Sequence, residues 1–128
     1  MLFDSWAWWE VVHSTRPGEN LSTRYLEEKG VRVLTVDYTL AEVAAKLARL
    51  GAEQRIPDVL GKVEWASDIL PISSEIAGLA AALLRELRRT DPNASLADAV
   101  VLAAARLNGA VLISGDRCYE GQRDVRAC

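Results

Sequence analysis

Four acids stand where carboxylates from distant parts of the chain can be drawn together: Asp4, Glu42, Asp98 and Asp116. Asp4 follows the short apolar run Leu2-Phe3, and Asp116 follows Val111-Leu-Ile-Ser114-Gly. Glu42 and Asp98 close the segments Thr39-Leu-Ala-Glu42 and Ser95-Leu-Ala-Asp98, each of which opens a helical pattern. In a parallel α/β sheet the carboxyl ends of strands and the starts of the following helices share one rim, so all four acids meet there. Carboxylates a few ångströms apart raise one another's pKa, and such a cluster either takes up protons or recruits a cation. Because the set contains no histidine or cysteine, its donors are oxygens only, which suits Mg²⁺ or Mn²⁺. The chemistry of such a centre is attack by a metal-activated water.

Each acid also has a plainer reading. The two helix-opening segments match a capping box, in which the third helical residue bonds back to the cap's backbone N–H. Asp4 and Asp116 taken singly are ordinary turn residues at strand ends. What capping does not require is that two strand-end acids and two first-turn acids fall on the same rim.

The elements that must position them follow from hydrophobic periodicity. Leu2-Phe3, Val31 to Val36, Ile69 to Ile72 and Ala110 to Ile113 are short apolar runs, and their lack of alternation marks central parallel strands covered on both faces. Between them lie helical segments: Trp6 to Ser14, from near Asn20 to before Gly30, from Thr39 to before Gly51, Pro57 to Ser67, Ser74 to Arg88, and Ser95 to Asn108-Gly109. Ile76, Leu79, Ala80, Leu83, Leu84 and Leu87 recur at helical spacing and give the clearest of these an apolar face. Strands separated by pairs of helices, with a last edge strand around Val125 to Ala127, predict a three-layer α/β/α sandwich. Its central sheet is mainly parallel, with four or five strands.

A chain of 128 residues, half of them hydrophobic and about a quarter charged, is expected to form one domain over residues 1–128. The net charge of −3 argues against a protein that coats nucleic acid, but not against an enzyme that needs carboxylates for metal. With no long apolar run and no basic, apolar leader, the expectation is a cytoplasmic protein without membrane contact. Cys118 and Cys128 lack the spacing of a zinc site. They read as reduced thiols in an ordinary cytosol, with a disulfide across that short loop as the alternative in a hyperthermophile. Trp6, Trp8 and Trp9 cannot all bury against one surface, so either Trp8 simply packs on a neighbouring helix or part of the cluster forms a contact with another chain. His13 falls away from the rim. Arg85, Arg88 and Arg89 read as a solvated helix face, whereas Arg117, beside Asp116, is a weak candidate for contact with a substrate phosphate.

Taken in order, Leu2-Phe3-Asp4-Ser5, Thr39-Leu-Ala-Glu42, Ser95-Leu-Ala-Asp98-Ala-Val and Val111-Leu-Ile-Ser114-Gly-Asp116 resemble the four motifs of the PIN-domain family across essentially the whole chain. Within that family the chain looks most like the toxins of VapBC toxin–antitoxin pairs. The resemblance implies a Mg²⁺- or Mn²⁺-dependent endoribonuclease that works as a homodimer, cleaves RNA phosphodiester bonds and is silenced by a cognate antitoxin. It implies Asp4, Glu42, Asp98 and Asp116 as catalytic metal ligands, with Ser114, and similarly Ser5, supporting a carboxylate or a bound water. Many relatives carry a further acid shortly after the last motif, where this chain has Arg117, Cys118 and Tyr119. Glu120 and Asp124 are the weak substitutes, so one metal or two stays open. Two rivals are a catalytically inactive PIN-like scaffold, and a phosphoacceptor receiver domain. The latter expects a lysine after a late strand, where this chain has Ser114-Gly-Asp-Arg117.

Overall fold

The computed structural model describes residues 1–127, so Cys128, and with it any disulfide to Cys118, lies outside the described residues. The strands are β1 (Leu2–Phe3), β2 (Leu34–Val36), β3 (Asp68–Leu70), β4 (Leu112–Ser114) and β5 (Val125–Ala127). They form one sheet in the order β3-β2-β1-β4-β5, with every neighbouring pair parallel. Between β1 and β2 run α1 (Ser5–Val12) and α2 (Arg16–Leu21); between β2 and β3 run α3 (Asp37–Arg49) and α4 (Ile56–Ala66). The pair α5 (Ser74–Thr90) and α6 (Leu96–Leu107) then leads to β4. This is the α/β/α sandwich expected from the sequence, edge strand included.

The short central strands β1, β2 and β4 hold because both of their faces are buried. Leu2, Leu34, Val36 and Leu112 point into one core with α5 and α6. Phe3, Val33 and Ile113 point into the other with Trp8, Val43, Leu47 and Val63 from α1, α3 and α4. Each fully buried aliphatic side chain contributes about 1.5–3 kcal/mol, so a two- or three-residue strand is stabilised mainly by what covers it. In α6, Ala99, Ala103, Ala104 and Ala105 are fully buried, and their small side chains let the helix lie close to its neighbours. Gly51 and Gly109 follow α3 and α6 with φ of 75° and 60°, the left-handed closing conformation that glycine adopts without steric cost.

Three expectations are corrected. The second helix begins at Arg16, not near Asn20, because the Thr15 hydroxyl accepts from the Gly18 N–H at 3.1 Å and Pro17 fits the first turn. It runs on into a π-helical turn over Ser22–Leu26. The third helix begins at Asp37, directly off β2, so Thr39 lies inside it, caps nothing, and the Thr39/Glu42 capping box does not form. Arg88 is not simply solvated, since its Nε donates to the Ala94 carbonyl at 3.2 Å and ties the α5–α6 turn. The tryptophan cluster divides as helical geometry requires. Trp8 is in the core, donating from Nε1 to the Thr35 hydroxyl at 2.9 Å, while Trp6 and Trp9 stay half-buried.

Candidate metal centre

The strand order reverses between β1 and β4, and it is outside such a switch point that parallel sheets form their binding crevice. Phe3 pairs with Ile113, so the next residues, Asp4 and Ser114, emerge side by side. Asp4 is buried, at 6% exposure, and caps α1 by accepting from the Ala7 N–H at 2.9 Å. The Ser114 hydroxyl lies beside the same carboxylate and favours its charged form. Ser114 is itself 2% exposed and accepts from the Asp116 N–H at 3.0 Å, linking the two strand-end acids through one side chain.

Asp98 sits in the first turn of α6, where the capping box with Ser95 does form. Its Oδ2 accepts from the Ser95 N–H at 2.8 Å. Asp116 is exposed at the mouth and accepts from the Cys118 N–H at 3.0 Å, which opens a single 3₁₀ turn over Arg117–Tyr119. That turn brings the Cys118 sulfur and carboxylate oxygens of Asp98 and Asp116 within 4.8 Å of one another. Glu42 reaches toward the group from α3, half-buried.

Electrostatics couple the four acids. Burial, opposed by the bonds from Ser114 and Ala7 and reinforced by the charges of Asp116 and Asp98, lifts Asp4 to about 6. Burial, with the charges of Asp98 and Asp4, lifts Glu42 to about 7. Two neighbouring groups that the sequence did not assign to the site, Cys118 and Tyr119, complete the surroundings. Cys118 is buried, and its thiol is pushed well above the ordinary range by burial and then by the charges of Asp98 and Asp116, so it stays protonated. The Tyr119 hydroxyl donates to the Asp98 carbonyl at 2.9 Å and pins the start of α6. The spacing Asp116-x-Cys118-Tyr119 was the available signal, legible only once the chain is known to turn there.

The remaining candidates separate. Ser5 is half-buried at the first position of α1 and shares a cavity wall with Glu42. Arg117 is exposed beside Asp116, with no acid paired to it among the described residues. Glu120 is exposed and lines a small hollow with Ser114 and Asp116. Asp124 is engaged by Arg106 at 3.0 Å and leaves the acid set.

The donor set fits a hard divalent cation: Asp98 and Asp116 lie together beside Cys118, and Asp4 and Glu42, close enough to feel the charges of other acids of the set, favour protons first because they are buried and then because of those charges. One turn before Glu42 on α3, the Thr39 hydroxyl is fully buried without a hydrogen-bond partner.

Because Asp98 is both cap and acid, Asp98→Asn separates the two roles. The amide oxygen still accepts from the Ser95 N–H, so chemical denaturation should register a change within about 1 kcal/mol. A larger loss would mean that its charge serves mainly the helix.

A sequence model described as the PIN domain matches residues 1–121. No curated protein matches the sequence. Among solved structures, a toxin–antitoxin complex from Klebsiella pneumoniae is 25% identical, covering 98% of this chain and 95% of that one with a TM-score of 0.73. VapBC2 from Rickettsia felis, bound to a DNA fragment from its promoter, is 12% identical, covering 99% and 96% with a TM-score of 0.75. VapC20 from Mycobacterium tuberculosis, a toxin that cleaves the sarcin–ricin loop, is 18% identical, covering 98% of each chain with a TM-score of 0.70.

Proposed function

The chain belongs to the PIN-domain family, and from that premise we propose that it is a metal-dependent endoribonuclease, the toxin of a type II toxin–antitoxin pair. The observation that carries this reading is the acid group at the switch point of the sheet, where Asp98 and Asp116 lie together beside Cys118 and where Asp4 and Glu42 feel the charges of other acids of the set. These four are the proposed ligands for Mg²⁺ or Mn²⁺. When bound, such an ion neutralises the acids, polarises the scissile phosphate and lowers the pKa of the attacking water.

The protein's own part is to hold the acids still. Asp4 is fixed by the Ala7 N–H, Asp98 by the Ser95 N–H, and Asp116 by the Cys118 N–H. Anchored carboxylates lose less conformational entropy on binding, which favours a defined geometry. Glu42 is the acid with no hydrogen-bond anchor recorded among the described residues. Without a metal it is lifted to about 7 by burial and by the charges of Asp98 and Asp4, a cost that a bound cation would relieve. Arg117, at the open side beside Asp116, is placed to meet a substrate phosphate. Ser5 supports the wall next to Glu42.

The structures of toxin–antitoxin complexes among the neighbours support a cognate antitoxin as the partner. The family resemblance supports a homodimer acting in the cytoplasm. No helix among the described residues is long and apolar enough to cross a membrane.

The test is incubation of the pure protein with a mixed RNA pool under Mg²⁺, Mn²⁺ and EDTA, beside Asp98→Asn. Cleavage that requires both a divalent ion and Asp98 is expected. A protein that cuts no RNA with either ion would instead be an inactive PIN-like binding module.

A further inference from the structure

Next to the acids lies a cavity of about 350 Å³ walled by α1 and α3, with Trp6, Trp9, Glu42, Lys46 and Arg49 among its lining residues. Three observations give it a chemistry. The first is its continuity with the metal centre through Glu42 and Trp6. The Trp6 ring lies against the backbone of Gly115, between Ser114 and Asp116, so closely that a Cβ there would fall 2.5 Å from its Cε2. The second is a cationic edge. Glu42, Lys46 and Arg49 fall on one stripe of α3, Lys46 Nζ rests 4.1 Å from the Trp9 ring centroid, and neither cation is paired to an acid among the described residues. The third is size, since the volume lies within the range of about 300–1,000 Å³ typical of small-ligand pockets. In a chain of net charge −3, two unpaired cations beside an aromatic wall and an acid centre match a ligand that is anionic and flat.

We propose that this cavity is a nucleotide subsite: it takes one unpaired nucleotide of single-stranded RNA flanking the scissile bond, its base against Trp6 and its phosphate between Lys46 and Arg49. Trp9 is not the stacking surface, because its ring is already flanked by Lys46 and by the His13 ring at 4.2 Å. A paired base is held in its stack and presents no free face to an aromatic wall, so the subsite selects loops and unpaired strands. This inference rests on the ribonuclease reading of the acid site, and the experiment keeps the two separable.

The measurement is fluorescence anisotropy of a labelled, short, single-stranded oligoribonucleotide of mixed sequence, in EDTA at low salt, so that nothing is cleaved. The double variant Lys46→Ala/Arg49→Ala should bind about tenfold more weakly and lose about 1.4 from the slope of log affinity against log salt, the share of two phosphate contacts to a single strand. Trp6→Leu should weaken binding about tenfold, whereas Trp6→Phe keeps an aromatic face and stays within about threefold of the wild type. Arg32→Ala/Lys62→Ala, on surfaces remote from the cavity, should bind as the wild type does. Undiminished binding by the α3 double variant, or no binding by the wild type, would overturn the subsite. Loss of binding in the variants of a protein that cleaves no RNA with Mg²⁺ or Mn²⁺ would leave the subsite standing and remove the nuclease reading. Unaltered binding and cleavage in the α3 variant would do the reverse.

Discussion

Asp4→Asn should reduce metal-dependent RNA cleavage by about a thousandfold, the scale of several kcal/mol of transition-state charge stabilisation, and should at the same time make the metal-free protein more stable at pH 8. Both effects come from one carboxylate held where its charge is unwelcome. Asp4 is 6% exposed and surrounded by Asp98 and Asp116, and its pKa rises from 3.8 to about 6. The sign follows directly. The folded state binds the Asp4 proton more tightly than the unfolded chain does, so raising the pH from about 4 to about 6 costs stability. Above that window the cost is fully developed, up to about 3 kcal/mol for a two-unit shift. Glu42 adds a loss of the same sign between its ordinary value of 4.5 and about 7, reduced by its partial exposure to solvent. Asparagine keeps an oxygen for the Ala7 N–H and carries no charge, so the variant escapes the Asp4 share of this penalty. Urea titrations in EDTA at pH 5 and pH 8 should show the wild type losing stability across the interval and Asp4→Asn losing less. Mg²⁺ should restore the wild type, by about 2.7 kcal/mol at a hundred times its Kd, and the variant less. A variant that cleaves normally would remove Asp4 from the site. One whose metal-free stability follows the wild type at both pH values would mean that its charge is not under strain.

The order of elements was legible because each carried a local signal. Leu2-Phe3 and Leu112-Ile113 are apolar on both faces, Gly51 and Gly109 close helices, and α5 shows a full apolar stripe. What was not legible depended on contacts between elements. Thr39-Leu-Ala-Glu42 reads as a cap because Thr is a good cap, but β2 passes straight into α3 at Asp37, which turns Thr39 inward and frees Glu42 from capping. Of the two matching segments, only Ser95 to Asp98 forms a capping box, and no local pattern distinguishes them. The acids themselves were proposed from their positions at strand ends and helix starts. Their surroundings were not: Cys118 and Tyr119 enter through a 3₁₀ turn, and Trp6 through the absence of a side chain at Gly115. Trp65 likewise gave no sign in sequence of being 91% exposed on α4.

Gly18 is the extreme of this class, and Gly18→Ala should cost more stability than any other single methyl added to a glycine of the chain, about 3 kcal/mol or more. In sequence, Arg16-Pro-Gly18 looks like a turn that breaks structure. In the fold Gly18 is a helical residue pressed against the end of α1. A Cβ there would fall 1.9 Å from the Glu10 carbonyl oxygen, 2.3 Å from its carbon and 2.7 Å from the Val11 nitrogen. All three are backbone atoms, so no rotamer change relieves the overlap. The Glu10 carbonyl is also fixed from the other side, accepting from the Thr15 N–H at 3.2 Å and its hydroxyl at 3.3 Å. Relief therefore requires α2 to move off α1, pulling at Leu21 and at Tyr25 in the π-helical turn, both buried in the core that holds Phe3 and Trp8. A thermal melt should fall by roughly 10 °C or more for a domain of this size. Gly61→Ala and Gly78→Ala, at helical positions where a Cβ meets open space, should instead hold or raise the melting temperature. Gly115→Ala, whose three nearest contacts are side-chain atoms of the Trp6 ring and not backbone, should cost less than Gly18→Ala. Since α2 carries none of the four acids, the fraction of Gly18→Ala that remains folded at low temperature should still cleave RNA. A melt within about 2 °C of the wild type would mean that α2 can slide on α1 freely, and that the close approach at Glu10 does not constrain the fold.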